Sequence, residues 1–134
     1  MGLFNLFKRQ DKVIETADSQ ETISSVLDRM SSSNIGCMVI TEEDKVVGIF
    51  SERDLLRRWK EIYPLIISDV KISKVMTKNV KTLDYDKIEK ASVTMMAHKF
   101  RHLPITKDGK LIDIISIRDV VNSLFEEIDD LNRD

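Results

Sequence analysis

The feature that most constrains this chain is an internal repeat. Gly48–Leu56 has the same pattern as Asp113–Val121, with Ser, Arg and Asp in the same three places. Chance similarity would rarely preserve one register over several blocks, so the chain contains two copies of one structural unit. The other blocks keep the same offset: Gly36–Thr41 with Arg101–Thr106, and Ile23–Met30 with Ile88–Met95.

Each copy predicts the same order of elements, which is strand, helix, strand, strand, helix. The assignments rest on β-prone composition, on apolar residues at helical spacing and on turn-forming residues between the last two strands. In the first copy they are strand Val13–Thr16, helix Ile23–Met30, strands Cys37–Thr41 and Val46–Phe50, and a helix starting at Ser51. In the second they are strand Val80–Thr82, helix Ile88–Met95, strands Leu103–Thr106 and Leu111–Ile115, and a helix starting at Ser116.

The expected organisation follows from these elements. It comprises an N-terminal extension (1–12), a first copy (13–64), a connection (65–73), a second copy (74–125) and a charged tail (126–134). A unit of ~60 residues buries too little of its surface to be comfortably stable alone. We therefore expect a mixed α/β (α+β) fold in which the two copies pack sheet against sheet with pseudo-two-fold symmetry.

Composition narrows the classes of function. The net charge of −2 gives no general attraction to nucleic acid or anionic lipid. No apolar run approaches the roughly 20 residues that span a bilayer. Cys37 is the only cysteine, and it is interpreted as a small buried residue rather than a reactive thiol. These features predict a cytoplasmic protein without nucleic-acid binding or strong membrane association.

Residues 1–10 form a separate apolar segment. Leu3, Phe4 and Phe7 would share one face of a helix. Packing on the domain or on a second subunit is favoured over a membrane-surface role, because one short apolar face gives only marginal membrane affinity.

A Ser-x-x-Asp motif begins the last helix of both copies, at Ser51–Asp54 and Ser116–Asp119. It is similar to a capping box, although that box usually carries Glu or Gln, and a cap contributes ~1 kcal/mol without any ligand. Arg53 and Arg118 occupy the second position of each helix, where a cation opposes the helix dipole. This repeated unfavourable choice favours a bound anion, and phosphate is the usual guest at a helix start.

Together, these motifs resemble the CBS domain, which occurs in tandem as the Bateman module. The resemblance covers roughly Val13 to Phe125 and implies clefts that hold adenosine-containing ligands, homodimers that are often disc-like, and regulation of other proteins. The segments that carry it are Asn34–Ile40, Gly48–Asp54, Val75–Thr77, Arg101–Ile105 and Ile114–Asp119.

The resemblance also implies which residues contact the ligand. The motif aspartates would accept hydrogen bonds from both ribose hydroxyls. The segment before the first strand and the strand before the hairpin would supply an apolar slot for adenine, with backbone groups that contact its edge. In copy two the implied residues are Thr77, Val80, Arg101, His102, Leu103, Pro104, Ser116, Arg118 and Asp119. In copy one they are Ile14, Gly36, Cys37, Met38, Val39, Ser51, Arg53 and Asp54.

Each copy departs from the family pattern at one place. Asp113 stands where copy one has Gly48 and adds negative charge near the second pocket, whereas Val39 stands where copy two has Pro104. Arg101 gives copy two an additional cation, which slightly favours it for phosphate.

The expected function is that of a regulatory sensor of AMP, ADP or ATP. Ligand binding would shift a homodimer, or its contact with an unidentified effector protein, between two arrangements. No catalytic residues, metal site or required cofactor are predicted, and His98 and His102 are interpreted as surface residues. The alternatives are an interaction module with vacant clefts and a site for S-adenosylmethionine, which has no phosphate for Arg53 and Arg118.

Overall fold

The computed structural model of the chain describes residues 14–132. These residues form two compact units, Glu15–Val80 and a second unit that begins at Lys81. Each unit contains a three-stranded sheet with helices. The mixed α+β class and the repeated order of elements are therefore confirmed. Segment 1–10 lies outside the described residues, so its packing stays a prediction.

The two units share one sheet topology. In each, a short first strand runs parallel to the middle strand, and the third strand pairs antiparallel to it. The first unit contains β1 (Thr16–Asp18), α1 (Ile23–Ser32), β2 (Cys37–Glu42), β3 (Lys45–Ser51), α2 (Glu52–Arg57), α3 (Trp59–Ile62) and a 3-10 turn at Ile72–Lys74. The second contains β4 (Leu83–Asp84), a 3-10 helix at Tyr85–Lys90, α4 (Ala91–His98), β5 (His102–Lys107), β6 (Lys110–Ser116) and α5 (Ile117–Leu131).

The helix α1 illustrates why the sequence folds as it does. Thr22 caps its N-terminus by accepting a hydrogen bond in its side chain. Ile23, Val26 and Met30 follow at helical spacing and are all buried in the core of the first unit. Local capping and the apolar stripe together fix the start of the helix and the face that it buries.

The hairpin turns also have local causes. Glu43 and Asp44 join β2 to β3 with φ angles of 50° and 68°, and Asp108 and Gly109 join β5 to β6 with 52° and 78°. Two positive φ angles match the twist of adjacent strands, and Asp and Gly tolerate them well. Both turns lie where the sequence predicted them.

The connection between the copies packs onto the first unit. Ile67 and Val70 contact its core, and Ile72 is fully buried in it. The backbone N–H of Ile23 donates to the carbonyl of Val70 at 2.9 Å. The expected linker at 65–73 is therefore part of the first unit, because its apolar side chains cover the start of α1.

The first strand of each copy lies about three residues later than predicted. The sequence suggested Val13–Thr16 and Val80–Thr82, whereas pairing with the middle strands places β1 and β4 further along. Such short edge strands are defined by their partner more than by β-propensity. The helix predicted from Ile88 begins as a 3-10 helix with a kink at Lys87, and α5 continues into the charged tail.

No helix within residues 14–132 combines the length and the apolar character needed to cross a membrane.

The thiol of Cys37 should be unreactive in the native protein. Burial, reinforced by the Asp54 carboxylate, raises the pKa of Cys37 to about 12. Roughly one thiol in ten thousand is then thiolate at pH 8, and the thiolate is the reactive form. We expect native protein to react with iodoacetamide more than about a hundredfold slower than urea-unfolded protein. Equal alkylation rates, followed by mass spectrometry, would contradict this expectation.

Deletion of residues 1–10 should lower the melting temperature or weaken self-association while leaving nucleotide affinity nearly unchanged. The segment is apolar and contains no predicted ligand residue. Scanning calorimetry, sedimentation and titration calorimetry measure the three quantities. Loss of liposome binding with full thermal stability would instead support the membrane-surface alternative.

Candidate functional site

The Ser-x-x-Asp motifs form complete capping boxes in both units. The N–H of Asp54 donates to Ser51 Oγ at 3.1 Å, and the N–H of Ser51 donates to Asp54 Oδ2 at 2.9 Å. Ser116 and Asp119 repeat this arrangement at the same two distances. The geometry thus accounts for a capping role in both copies, and the contact with ribose stays a prediction.

Thr77 lies beside Asp54 of the first unit. Its N–H donates to the carbonyl of Ile49 at 2.8 Å, and the N–H of Ile49 donates back at 3.0 Å. The Thr77 hydroxyl donates to Asp54 Oδ1 at 3.3 Å. Thr77 and Val80 were predicted to belong with copy two, but both lie in the first unit. Backbone pairing with β3 holds Thr77 in the unit Glu15–Val80, and Val80 clusters with the same unit.

Ile14 shows the complementary correction. It was grouped with copy one, but it clusters with the unit that begins at Lys81. Ile14 and Val80 therefore each cluster with the unit other than the one to which they were assigned, a division that composition does not encode.

The other predicted residues of copy one meet where β2 begins. The carbonyl of Gly36 accepts from the N–H of Glu52 at 2.9 Å, and Cys37 pairs with Ser51 across the hairpin. Met38 and Val39 are fully buried on β2. The structure thus brings Gly36 and Cys37 to the start of α2 and encloses the other two side chains.

The second unit has the same arrangement at β5. The carbonyl of Arg101 accepts from the N–H of Ile117 at 2.8 Å, and His102 pairs with Ser116. Leu103 and Pro104 are buried. Arg101, His102, Ser116 and Asp119 therefore lie at the start of α5. Leu103 and Pro104 are enclosed, as Met38 and Val39 are in the first unit.

Of the two histidines predicted to lie at the surface, His98 does so and His102 does not. His98 is exposed and stacks on Phe100, with ring centroids 5.1 Å apart. His102 is half-buried, and this burial lowers its pKa; Arg101 lowers it further, whereas Asp119 opposes the shift. Within residues 14–132, no group of three or more potential ligand residues could hold a metal ion.

Arg53 and Arg118 are both exposed at the second position of their helices. Both side chains are therefore accessible to a ligand at the helix start, and neither forms an ion pair with another residue of 14–132.

An open groove of about 600 Å³ lies beside Asp54. Four cations and two acids contribute to it, so its lining is positive within a chain whose net charge is −2. The complete lining is Asp54, Arg57, Arg58, Glu61, Lys74, Met76, Thr77 and Lys78.

Arg58 joins the two sides of this groove. Its guanidinium donates to the carbonyls of Val75 and Met76, the latter at 3.3 Å, and it lies 3.3 Å from a carboxylate oxygen of Glu61. One side chain thereby ties the helical side of the groove to the chain segment opposite.

Sequence reasoning named only Asp54 and Thr77 among the lining residues. The helical side of the groove could have been predicted from the spacing of its charged residues. Intervals of three, one and three residues place them on one helix face, and they are Asp54, Arg57, Arg58 and Glu61. No comparable signal placed residues 74–78 opposite that face.

A smaller cavity of about 320 Å³ lies between α1 and α2. Its lining is largely apolar, with Leu27, Met30, Ile35, Phe50 and Leu55 among the contributors. None of the residues predicted to bind a ligand lines it, so it is distinct from the candidate site.

Gly48 leaves room for the close approach of the Met76 side chain. A Cβ atom at position 48 would lie 2.3 Å from the Met76 sulfur, so Met76 would have to move. Asp113 fills the equivalent position in the second unit, where it is 5% exposed and accepts a hydrogen bond from the N–H of Ile114 at 2.7 Å. The exchange of Gly48 for Asp113 between the copies thus makes the two sites sterically different.

Comparison with known proteins places this architecture in a family. The CBS domain family model matches residues 10–61 and 68–126. An uncharacterized 17.7 kDa protein of Acidianus ambivalens is 36% identical over 110 residues, which cover 78% of this chain and 63% of that protein. The chain therefore spans less than two thirds of the length of that relative.

Solved structures agree with the family match. A CBS-domain containing protein from Agrobacterium tumefaciens superposes with a TM-score of 0.72 at 30% identity, covering 90% of this chain and 96% of that one. A CBS domain protein from Pyrobaculum aerophilum complexed with AMP has the same TM-score at 24% identity, covering 90% and 95%, and shares the fold. The family model matches both copies and most of the residues, so this chain belongs to the CBS domain family and carries two such domains in tandem.

Proposed function

We propose that this chain is a regulatory module that binds an adenine nucleotide reversibly and catalyses no reaction. The observation that carries the proposal is the groove around Asp54, where a carboxylate suited to ribose lies among cations suited to phosphate. A nucleotide requires these two features together.

The capping role of Asp54 leaves it able to contact a ligand. Its carboxylate accepts from Ser51 and from Thr77. An ionised carboxylate offers about four lone-pair sites. Since Oδ1 accepts only the single bond from Thr77 among the described hydrogen bonds, a ribose hydroxyl can share it. Capping and ribose binding are therefore compatible in one residue.

The cations distinguish between adenosine ligands. S-adenosylmethionine shares adenine and ribose with the nucleotides, but its only anionic group is the methionine carboxylate, which accompanies an ammonium and a sulfonium cation. Arg57, Lys74 and Lys78 would therefore meet less negative charge on it than on a phosphate. A phosphate group carries at least one full negative charge at neutral pH, and charge-assisted hydrogen bonds to it are strong. The lining charge therefore supports a nucleotide.

The relatives support the same ligand class. The Pyrobaculum protein binds AMP with the same fold, so this architecture can hold an adenine nucleotide. We carry that ligand class to this chain because the chain retains Ser and Asp of the motif in both copies.

We also propose that the module works as a homodimer that uses α5. One face of this helix is buried by Val120 and Ser123. The other exposes apolar side chains at helical spacing, which water disfavours and a second copy could cover. These side chains are Ile117, Val121, Leu124, Phe125, Ile128 and Leu131.

Replacing Asp54 or Asp119 by Asn tests the nucleotide proposal. Asn keeps the size but loses the charge and half of the acceptor capacity. A ribose contact then weakens by ~1.5–3 kcal/mol, or about ten- to a hundredfold in Kd. The apo melting curve should correspond to a loss of at most about 1 kcal/mol, the value of a cap.

Titration calorimetry with AMP, ADP and ATP measures these affinities. Asp28→Asn, an exposed carboxylate on α1, is the control and should leave every affinity unchanged. Wild-type protein that binds no nucleotide, or two variants with unaltered affinity, would refute the proposal and favour an interaction module with vacant clefts.

The double variant Phe125→Asp/Ile128→Asp should convert the dimer into a monomer. Two buried charges in an apolar interface are strongly unfavourable. Analytical ultracentrifugation at micromolar concentration gives the mass. The matched control is Asn122→Asp/Asn132→Asp, which adds the same charge at exposed polar positions and should remain dimeric. A monomeric wild type would end the dimer proposal.

A further inference from the structure

We infer that the groove beside Asp54 selects for polyphosphates, so that this chain binds nucleoside triphosphates more tightly than monophosphates. The inference rests on the proposed function and extends it to the number of phosphates. It also predicts that the site of the first unit, and not that of the second, prefers triphosphates to monophosphates.

The cations of the groove are in excess over its acids. Arg58 has Glu61 as an ion-pair partner, and Asp54 is hydrogen-bonded to Ser51 and Thr77. Arg57, Lys74 and Lys78 form no ion pair among residues 14–132, although all three line the groove. Three like charges repel one another, and an anion among them relieves the repulsion.

These cations lie on both sides of the groove. Arg57 belongs to α2, whereas Lys74 and Lys78 belong to the segment opposite, which Arg58 fastens to the helical side. Asp54 and Thr77 meet between them through their 3.3 Å hydrogen bond. A ligand whose ribose lies at Asp54 can therefore extend its phosphates between cations from two chain segments.

The capacity of the groove suits a chain of phosphates. Its volume of about 600 Å³ falls in the middle of the usual range for small-molecule sites. A single phosphate carries about 1.5 to 2 negative charges at pH 7, fewer than the three cations that form no ion pair among residues 14–132. Additional phosphates provide partners for the remaining cations.

The second unit lacks the equivalent charges on its helix. Asn122 and Ser123 occupy the positions that correspond to Arg57 and Arg58 under the offset of the repeat. Asp113 adds a negative charge to that unit. The two sites therefore differ in the number of phosphates that they can neutralise, even though both retain the Ser-x-x-Asp motif.

Calorimetric titration of AMP, ADP, ATP and inorganic tripolyphosphate, in buffer without magnesium, tests the inference. ATP should bind at least about tenfold more tightly than AMP, a difference of about 1.4 kcal/mol. The preference should decrease at high salt, because the three cations are exposed and their contacts are screened.

The double variant Lys74→Gln/Lys78→Gln should remove most of this preference. ATP affinity should fall by about tenfold or more, and AMP affinity by a smaller factor. The control Lys45→Gln/Lys60→Gln makes the same change of charge at exposed lysines outside the groove and should keep the preference. Circular dichroism melting verifies that both variants are folded.

The outcomes separate this inference from the proposed function. Equal affinity for AMP and ATP, or a preference that survives in Lys74→Gln/Lys78→Gln, overturns the polyphosphate inference alone. Tripolyphosphate binding that depends on the two lysines, without any nucleotide binding, supports a polyphosphate-binding groove but overturns the nucleotide proposal and, with it, the preference for nucleoside triphosphates. Absence of binding by all four probes overturns both.

Discussion

The contact between Asp54 and Thr77 connects the two sides of the groove in the first unit, which are the start of α2 and the segment 74–78. Asp54 is only 9% exposed, and a carboxylate at such a position requires hydrogen-bond donors. The backbone of Ser51 and the hydroxyl of Thr77 supply them, at the end of β3 and from the segment after α3. Backbone pairing of Thr77 with Ile49 adds two further bonds. The segment is thus held along β3, and its lysines come to face the helix that follows.

The absence of a side chain at Gly48 lets Met76, and with it the segment 74–78, lie close to β3. The Met76 side chain occupies the space that a Cβ atom would need, and it is buried there. Asp113 takes the equivalent place in the second unit and satisfies part of its hydrogen-bonding capacity locally, through the N–H of Ile114. The two repeats share one topology but differ at the position held by Gly48 in the first unit and by Asp113 in the second. Topological symmetry of a tandem repeat does not require equivalent ligand sites.

The elements with local causes could be predicted from the sequence, and the long-range ones could not. The caps, the apolar stripe of α1 and the two hairpin turns follow from residues within a few positions of one another. Thr77 was assigned to the wrong copy because the repeat offset carries no information about which sheet edge a connecting segment joins. Its partner Ile49 lies far away in the sequence, as do the residues that face Lys74 and Lys78. The excess of cations in the groove comes from two separate segments, so it can be recognised only once the fold shows that these segments line the same groove.

A capping residue and a ligand residue are often treated as alternatives, but under the proposed function the geometry of Asp54 makes the two roles cooperative. The cap fixes the carboxylate, so a ligand would not have to pay the entropy of ordering that side chain. The same bonds fix the segment of Lys74 and Lys78 against Arg57 despite their mutual repulsion. An anion that neutralises them stabilises the segment further, and this segment continues within a few residues into the second unit at Lys81. Under the proposed function, ligand binding would therefore act on the chain at its connection between the two domains, and a coupling of ~1–3 kcal/mol there is sufficient for regulation.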